Sequence, residues 1–224
     1  MKHEKTTKTQ INLFNFAPPI KKRFKDAKFN LRFVLYRVKD CKMFEQRTEN
    51  LQRKDLMNKI ILQCAISKDG FIARENGDFD FLTMPSDEAF HTYFNHFLKQ
   101  IDVIVMGYKT YHIMKQMGPL PFENISKIVF TKRHISDQDE FVTFTDQPIE
   151  NFVKNNQKKV WLFGGANLFT QFLELDCIGE IHLYQEQVTI RSGIPVFNTD
   201  GWEKLYKSPE VTHYKQGSLL IYKK

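Results

Sequence analysis

The chain contains the stretch Val160-Trp161-Leu162-Phe163-Gly164-Gly165-Ala166-Asn167-Leu168-Phe169-Thr170-Gln171-Phe172-Leu173, a hydrophobic strand that runs into two glycines and then into an amphipathic helix. Glycines at such a junction let the backbone come close to a ligand, and the helix start offers free N–H groups and a positive dipole end to a phosphate. The stretch therefore predicts a site for a phosphate-bearing cofactor. A tight turn that only lets helix and sheet pack is the alternative, and the rest of the chain must decide between them.

Length and composition fit one main domain. The chain has 224 residues, of which 42% are hydrophobic, enough to bury one substantial core. Its net charge of +7 is unevenly placed, because residues 1–56 hold 15 Lys and Arg against 6 Asp and Glu, whereas residues 57–224 hold 18 against 20. The basic excess precedes the domain, so nucleic-acid binding by the domain itself is not expected.

Residues 1–56 are predicted to be a basic, poorly ordered extension, and residues 57–224 to be the folded domain. Two alternatives stay open for the front segment. Its cations and scattered aromatic residues fit an arm that contacts RNA. Alternatively, Met57 is the natural first residue, because a well-patterned strand begins shortly after it.

Cysteine use and hydropathy predict a cytoplasmic protein. Cys41, Cys64 and Cys177 are odd in number and have no metal-ligand spacing, so we interpret them as reduced thiols and expect no metal. No apolar stretch is long enough to span a bilayer, so no membrane association is expected. A mitochondrial presequence is the alternative, although the front segment is rich in Lys and contains Pro18-Pro19.

From Lys59 onward, strand patterns alternate with helix patterns, which predicts an α/β domain around a mostly parallel sheet. Asp87 stands at the N-cap position of a predicted helix over residues 89–100. A second helix is predicted over residues 148–155 and a third after Gly165. The predicted strands cover residues 60–67, 101–106, 127–131, 160–163, 181–188 and 217–222.

Residues suited to phosphate binding follow three of these strands. They are Gly107-Tyr108-Lys109-Thr110, Thr131-Lys132-Arg133 and Gly164-Gly165. In open α/β sheets, ligands bind outside the carboxyl ends of the strands. The three loops are therefore predicted to line one groove that accepts a charged dinucleotide.

The order of these blocks resembles the dihydrofolate reductase superfamily over roughly residues 58–224, and especially the reductase domain of bifunctional riboflavin-biosynthesis deaminase-reductases. The block Val105-Met106-Gly107-Tyr108-Lys109-Thr110 resembles the family's Met-Gly-Arg-x-Thr pattern. The other matching blocks are residues 65–73, 118–121 with 128–133, 163–173, and 193–197 with 201–203.

The resemblance implies a three-layer α/β fold with helices on both faces of the sheet and an antiparallel C-terminal edge. It also implies an NADPH-dependent reductase, a homodimer and a cis bond between Gly164 and Gly165. The residues that it assigns to the cofactor are Ala65, Gly107, Lys109, Thr110, Thr131, Lys132, Arg133, Gly164, Gly165, Ala166, Asn167, Leu168 and Phe169.

The resemblance also assigns substrate and catalytic residues. Pro85-Ser86-Asp87 is similar to the Pro-x-Asp of bacterial dihydrofolate reductases, so Asp87 is the catalytic candidate, with an ordinary helix N-cap as the alternative. Asp69, Phe79, Phe81 and Tyr184 are the candidates for substrate binding, although Phe79 and Phe81 also fit core positions.

Three positions depart from the family pattern. Tyr108 replaces the usual Arg, so a preference for NADPH would depend on Lys132 and Arg133. Phe169 replaces a Tyr near the nicotinamide, and Tyr184 replaces a Thr that supports the substrate acid.

The function predicted by the resemblance is hydride transfer from NADPH to a small pteridine-like or pyrimidine-like heterocycle. A true dihydrofolate reductase is the first alternative. A non-catalytic ligand-binding or RNA-contacting module is the second. Residues 1–56 contain no His-x-Glu with a later Pro-Cys-x-x-Cys, so the chain is not predicted to carry a zinc deaminase.

Overall fold

An eight-stranded sheet organises the computed structural model, which describes residues 59–83, 85–135 and 139–224. The predicted front segment, Met57 and Cys41 lie outside the described residues. The strands are β1 (Ile60–Ile66), β2 (Phe71–Ala73), β3 (Val103–Gly107), β4 (Ser126–Phe130), β5 (Val142–Thr145), β6 (Val160–Gly164), β7 (Glu180–Glu186), β8 (Ile194–Pro195), β9 (Glu210–His213) and β10 (Gly217–Lys223). The α-helices are α1 (Glu88–Leu98), α2 (Tyr108–Met117), α3 (Ile149–Asn155) and α4 (Ala166–Glu174), and a 3₁₀ turn covers Trp202–Leu205.

The large sheet has the strand order β5-β4-β3-β6-β1-β7-β10-β9. Strands β5 through β7 in this order pair in parallel, whereas β10 runs antiparallel to both β7 and β9. Strands β2 and β8 form a separate antiparallel pair. The predicted parallel sheet with an antiparallel C-terminal edge is therefore confirmed.

Side chains of the central strands belong to two separate hydrophobic clusters, one on each face of the sheet. Along β6, Val160 and Leu162 join one cluster and Trp161 joins the other, as the alternation of side chains along a strand requires. Helices α3 and α4 cover the first face through Phe152 and Phe172. Helices α1 and α2 cover the second face, which confirms the predicted three layers.

The structure differs from the predicted elements at α2 (Tyr108–Met117), which the sequence reading did not predict, and at the sheet margins. The sequence reading missed β2, β5, β8 and β9, since these strands have two to four residues and β9 is exposed throughout, so that it shows no hydrophobic alternation. Strand β3 begins at Val103 rather than at Ile101, because the Ile101 N–H still donates to Leu98 O at the end of α1.

None of the helices in the described part of the chain is long and apolar enough to cross a membrane. Cys64 and Cys177 are free thiols. Burial raises the pKa of each to about 12, so both stay protonated at neutral pH.

A buried histidine on β7 links the sheet to α1. His182 is 6% exposed; its Nδ1 lies 2.8 Å from Tyr93 Oη and its Nε2 lies 3.0 Å from Glu180 Oε2. The hydrogen bond with His182 lowers the pKa of Glu180 against the opposing effect of burial, and Lys159 and Lys223 add smaller favourable charges. The ionised Glu180 therefore helps to hold the start of β7 in place.

This arrangement predicts an acid-sensitive contribution to stability. Because the pKa of Glu180 is lower in the folded state, its contribution is complete above the unfolded pKa, near 4.3, and is lost as pH falls through the folded pKa. Urea unfolding as a function of pH should show a shallower loss of stability below about pH 4.5 in Glu180→Gln than in the unsubstituted protein. Parallel curves would contradict the role of this carboxylate.

Candidate functional site

A cleft with a volume of about 1600 Å³ opens at the carboxyl ends of the parallel strands. Ala65 near the end of β1, Gly107 at the end of β3 and Thr131 after β4 all line it. Gly164 at the end of β6 and Tyr184 near the end of β7 line it as well. This is the edge at which open α/β sheets bind ligands.

Two of the predicted loops meet closely because they carry glycine. A Cβ atom built on Gly164 would lie 3.2 Å from Thr110 Oγ1 and Cγ2, and one built on Gly165 would lie 3.4 Å from Thr110 Oγ1. The bond between Gly164 and Gly165 is cis, as the resemblance implied. The absence of side chains on these two residues therefore keeps a backbone-lined floor open between α2 and α4.

Both helices begin at this floor without a side-chain cap. The N-cap of α2 is Gly107 and that of α4 is Gly165, and neither can supply a capping side chain. The first residues of both helices line the cleft. Two sets of helix N–H groups, each with the positive end of a helix dipole, thus converge where a phosphate group can accept from them.

Basic side chains also lie in or beside the cleft. Lys109 and Lys132 line it, and Lys109 Nζ lies close to Gly77 in the loop after β2, within 3.5 Å of where a Cβ would be. Arg133 is not among the lining residues; its guanidinium carbon lies 4.9 Å from the centre of the Tyr108 ring. Tyr108 therefore contacts a cation at the position where the family pattern has an Arg.

Aromatic residues form another part of the cleft lining. Trp161 is 2% exposed and forms edge contacts with Phe94 at 5.8 Å and with Phe163 at 4.9 Å between ring centres. Its indole Nε1 donates to Gln63 O at 2.9 Å, which fixes the plane of the ring. The lining residues that ring contacts connect to one another are Phe90, Phe94, Phe122, Trp161, Phe163 and Tyr184, and Phe79 also lines the cleft.

The structure brings most of the predicted site residues to this one cleft. The predicted residues that line it are Ala65, Phe79, Gly107, Lys109, Thr110, Thr131, Lys132, Gly164, Gly165, Ala166, Asn167, Leu168, Phe169 and Tyr184. The predicted residues that are not among its lining residues are Asp69, Phe81, Asp87 and Arg133.

Asp69 and Phe81 have other contacts. Asp69 accepts hydrogen bonds from Ser67 Oγ, from Ile190 N and, at 2.7 Å, from Arg191 N, and these bonds together lower its pKa although partial desolvation opposes them. It thereby ties the loop after β1 to the loop before β8. Phe81 is 5% exposed, with the Arg74 guanidinium 5.8 Å from its ring centre.

Asp87 caps α1. Its Oδ1 accepts from Ala89 N at 2.9 Å, and its Oδ2 lies 3.4 Å from Lys215 N in the turn between β9 and β10. Asp87 therefore makes the helix N-cap contact that the sequence offered as the alternative to a catalytic role.

One polar residue near the cleft was missed by the sequence reading. Glu186 is 3% exposed, and its carboxylate accepts hydrogen bonds from Thr83 N at 2.9 Å and Thr83 Oγ1 at 3.1 Å. Thr83 itself lines the cleft. The signal available in the sequence was the spacing of His182, Tyr184 and Glu186, which places three polar side chains on one face of a buried strand.

Within the described residues, no group of three or more His, Cys, Asp or Glu side chains is arranged to hold a metal ion.

Comparison with known proteins agrees with this architecture. Residues 58–217 match the family model of the RibD C-terminal domain. The chain belongs to this family. The predicted resemblance to riboflavin-biosynthesis reductase domains is therefore confirmed.

A curated relative is the uncharacterized protein YwjB of Bacillus subtilis, which is 34% identical over 145 residues, covering 62% of this chain and 83% of the relative. A similar solved structure is the Thermotoga maritima diaminohydroxyphosphoribosylaminopyrimidine deaminase/5-amino-6-(5-phosphoribosylamino)uracil reductase, at 18% identity and a TM-score of 0.55, covering 73% of this chain and 56% of that one. Another is dihydrofolate reductase from Enterococcus faecalis complexed with NADP(H), at 18% identity and a TM-score of 0.50, covering 75% of this chain and 96% of that one. At this identity the two structures show a shared fold.

The contacts of Asp87 lead to a prediction about stability. Replacing an N-cap Asp with Ala typically costs about 1 kcal/mol, whereas Asn caps as well as Asp does. Asp87→Ala should therefore lower the free energy of unfolding in urea by about that amount, and Asp87→Asn should match the unsubstituted protein. Equal stability of all three proteins would show that the cap contributes nothing.

Proposed function

We propose that this member of the RibD C-terminal family is an NADPH-dependent reductase of a small pteridine-like or pyrimidine-like heterocycle. The observation that carries the proposal is that two uncapped helix starts, two glycines, two lysines and a group of aromatic side chains line the same cleft. A dinucleotide needs both kinds of surface, since its diphosphate is charged and its nicotinamide ring is flat. NADPH, once bound, would supply a hydride.

The residues present fit such a cofactor. Gly164 and Gly165 keep free a space that any side chain would fill, because a Cβ at either position would contact Thr110. Backbone N–H groups at the starts of α2 and α4 would hold the diphosphate, and Lys109 would offset its charge. The E. faecalis enzyme with a similar fold is complexed with NADP(H), which supports this assignment.

The aromatic part of the cleft would receive the substrate. The half-buried Phe79 and Phe94 and the buried Trp161 offer flat apolar surfaces against which a heterocyclic ring would pack, and a ring packed there would displace water from the place where the hydride arrives. The name of the T. maritima enzyme includes a uracil derivative as substrate, which supports a pyrimidine-like ring here. The proposal does not extend to folate, because Tyr184 stands where dihydrofolate reductases carry a smaller residue.

The preference for NADPH over NADH is proposed to depend on Lys132 and Arg133. Both are exposed, and both follow β4. Arg133 lies over Tyr108, and its N–H donates to Thr131 Oγ1 at 3.0 Å, so the turn presents two cations beside the cleft. The 2′-phosphate of NADPH would contact Lys132 and Arg133, although position 108 is a Tyr and not an Arg.

Fluorescence titration of the full chain with NADPH and NADH tests this proposal. We expect saturable binding that favours NADPH, and Lys132→Ala should weaken NADPH binding about five- to tenfold with little effect on NADH, as expected for one charge-assisted contact at an exposed site. Lys207→Ala removes an equally exposed lysine outside the cleft and serves as the control. Failure of the unsubstituted protein to bind either nucleotide would overturn the proposed function.

Asp87 is proposed as the residue that assists protonation of the substrate, and Asp87→Asn separates this role from helix capping. The amide keeps the cap but cannot transfer a proton. If Asp87→Asn loses turnover but keeps its stability, the catalytic role is supported. If its turnover is unchanged, Asp87 only caps α1.

A cytoplasmic location and a homodimer are also proposed. The free, protonated Cys64 and Cys177 fit a reducing compartment. Sedimentation of the purified chain tests the dimer, and a monomer at every accessible concentration would contradict it.

A further inference from the structure

Strand β4 carries a lysine at a position where the sheet favours an apolar side chain. Lys127 lies on the same face of β4 as Val129, which belongs to the hydrophobic cluster around Trp161, and it is 2% exposed. Lysine is almost never buried to this degree without a partner. Burial lowers the pKa of Lys127, although the charges of Asp139 and Glu123 act in the opposite direction. A basic group in this place therefore calls for a reason beyond packing.

The ammonium of Lys127 binds two backbone carbonyls of the segment that connects α2 to β4. Its Nζ donates to Phe122 O and to Ile125 O, each at 2.9 Å. Phe122 O also accepts from Ile125 N at 2.9 Å, so the three residues close one tight turn. The partners of the buried ammonium are therefore carbonyl oxygens of residues that lie a few positions before it in the chain.

This turn holds Phe122 in a backbone conformation that phenylalanine rarely adopts. Its φ is 57°, in the left-handed region, where the side chain of an L-residue crowds the following carbonyl oxygen. Such a conformation persists only where the surrounding structure enforces it, and such residues cluster at active sites and ligand clamps. The hydrogen bonds from Lys127 to the two carbonyls supply that restraint.

Phe122 lines the cleft and contacts other aromatic lining residues. Its ring centre lies 5.1 Å from that of Trp161 and 6.0 Å from that of Phe94. Because the direction of a side chain depends on its backbone conformation, a release of Phe122 from the left-handed region would move its ring away from both neighbours. Lys127 is not among the lining residues, so any effect that it has on a ligand must pass through the segment that it binds.

From these contacts we infer that Lys127 is a positioning residue for the cleft. Its ammonium fixes Phe122 in the left-handed conformation and thereby keeps the Phe122 ring in the wall against which a flat heterocyclic ligand packs. The inference rests on the proposed function for the nature of that ligand. Lys127 and Phe122 then act as one unit on the binding of the heterocycle, whereas the binding of a nucleotide at Gly164 and Gly165 does not depend on them.

The test is a double-mutant cycle on the full chain, with pterin, a flat fluorescent heterocycle, as the probe. Lys127→Met and Phe122→Ala should each weaken pterin binding about three- to tenfold. The double variant should bind pterin no more weakly than Phe122→Ala, because Lys127 acts only through Phe122. Binding of NADPH to each variant should stay within about twofold of its binding to the unsubstituted protein, which also shows that the variants are folded.

Lys127→Gln is the second variant at this position, because its neutral amide can still donate a hydrogen bond to one of the two carbonyls. It should weaken pterin binding less than Lys127→Met does. If Lys127→Met does not fold, Lys127→Gln takes its place in the cycle with Phe122→Ala, and its effect on pterin binding should likewise vanish when the Phe122 ring is absent.

Lys224→Met is the matched control. Lys224 Nζ donates to the carbonyl of Asp176, which also has a left-handed φ, of 54°, and neither residue is among those that line the cleft. This variant should bind pterin as the unsubstituted protein does. The inference is overturned if the unsubstituted protein does not bind pterin, if the Lys127 variant binds it equally well, or if the losses of the two single variants add in the double variant. Pterin binding that depends on Lys127, without any NADPH binding, would refute the proposed cofactor and leave this inference standing.

Discussion

The close approach of β6 and α2 is the constraint on which the rest of the site depends. A Cβ on Gly164 would lie 3.2 Å from Thr110, closer than most side chains pack, and Cβ atoms on Gly165 and Gly107 would lie in van der Waals contact with Thr110 and with Gly164 O. The ends of β3 and β6 can therefore lie side by side with both following helices directed into the same cleft. Larger residues at these positions would separate the two helix starts, and the two sets of N–H groups would no longer face one ligand.

Charged side chains are unevenly placed around the cleft. Lys109 and Lys132 line it, whereas the buried Glu186 and the cap residue Asp87 are not among its lining residues. Trp161, which also lines the cleft, is fixed by its hydrogen bond to Gln63 and by its aromatic neighbours. A bound dinucleotide would thus be oriented by the distribution of charge before any specific contact forms.

The parts of the fold that follow from a buried pattern could be predicted from the sequence. Continuous apolar runs such as Val160–Phe163 marked the central strands, and the block after Met106 marked the loop that meets Gly164. Strand β9 could not be predicted, because its side chains are all exposed and show no hydrophobic alternation; besides backbone hydrogen bonds, it pairs with β10 through the polar contacts His213–Ser218 and Glu210–Lys223.

The candidate site was predictable only where a local signal exists. Glycine pairs and lysines after strands are local signals, and they led to the part of the cleft where we propose that the cofactor binds. The contacts of Asp69 with residues 190 and 191 and the bond of Glu186 with Thr83 depend on segments that are distant in sequence. The polar spacing of β7 shows that His182, Tyr184 and Glu186 share a face but not what they contact, so Glu186 was not predicted as a site residue, although Tyr184 was.

The most direct test of the central claim is a crystal structure of the full chain grown with NADP⁺. The account predicts a diphosphate beside Gly164 and Gly165, hydrogen-bonded to backbone N–H groups at the starts of α2 and α4, with the nicotinamide ring directed toward Trp161 and Tyr184. A nucleotide bound elsewhere, or a glycine floor left without a diphosphate at saturating NADP⁺, would contradict it.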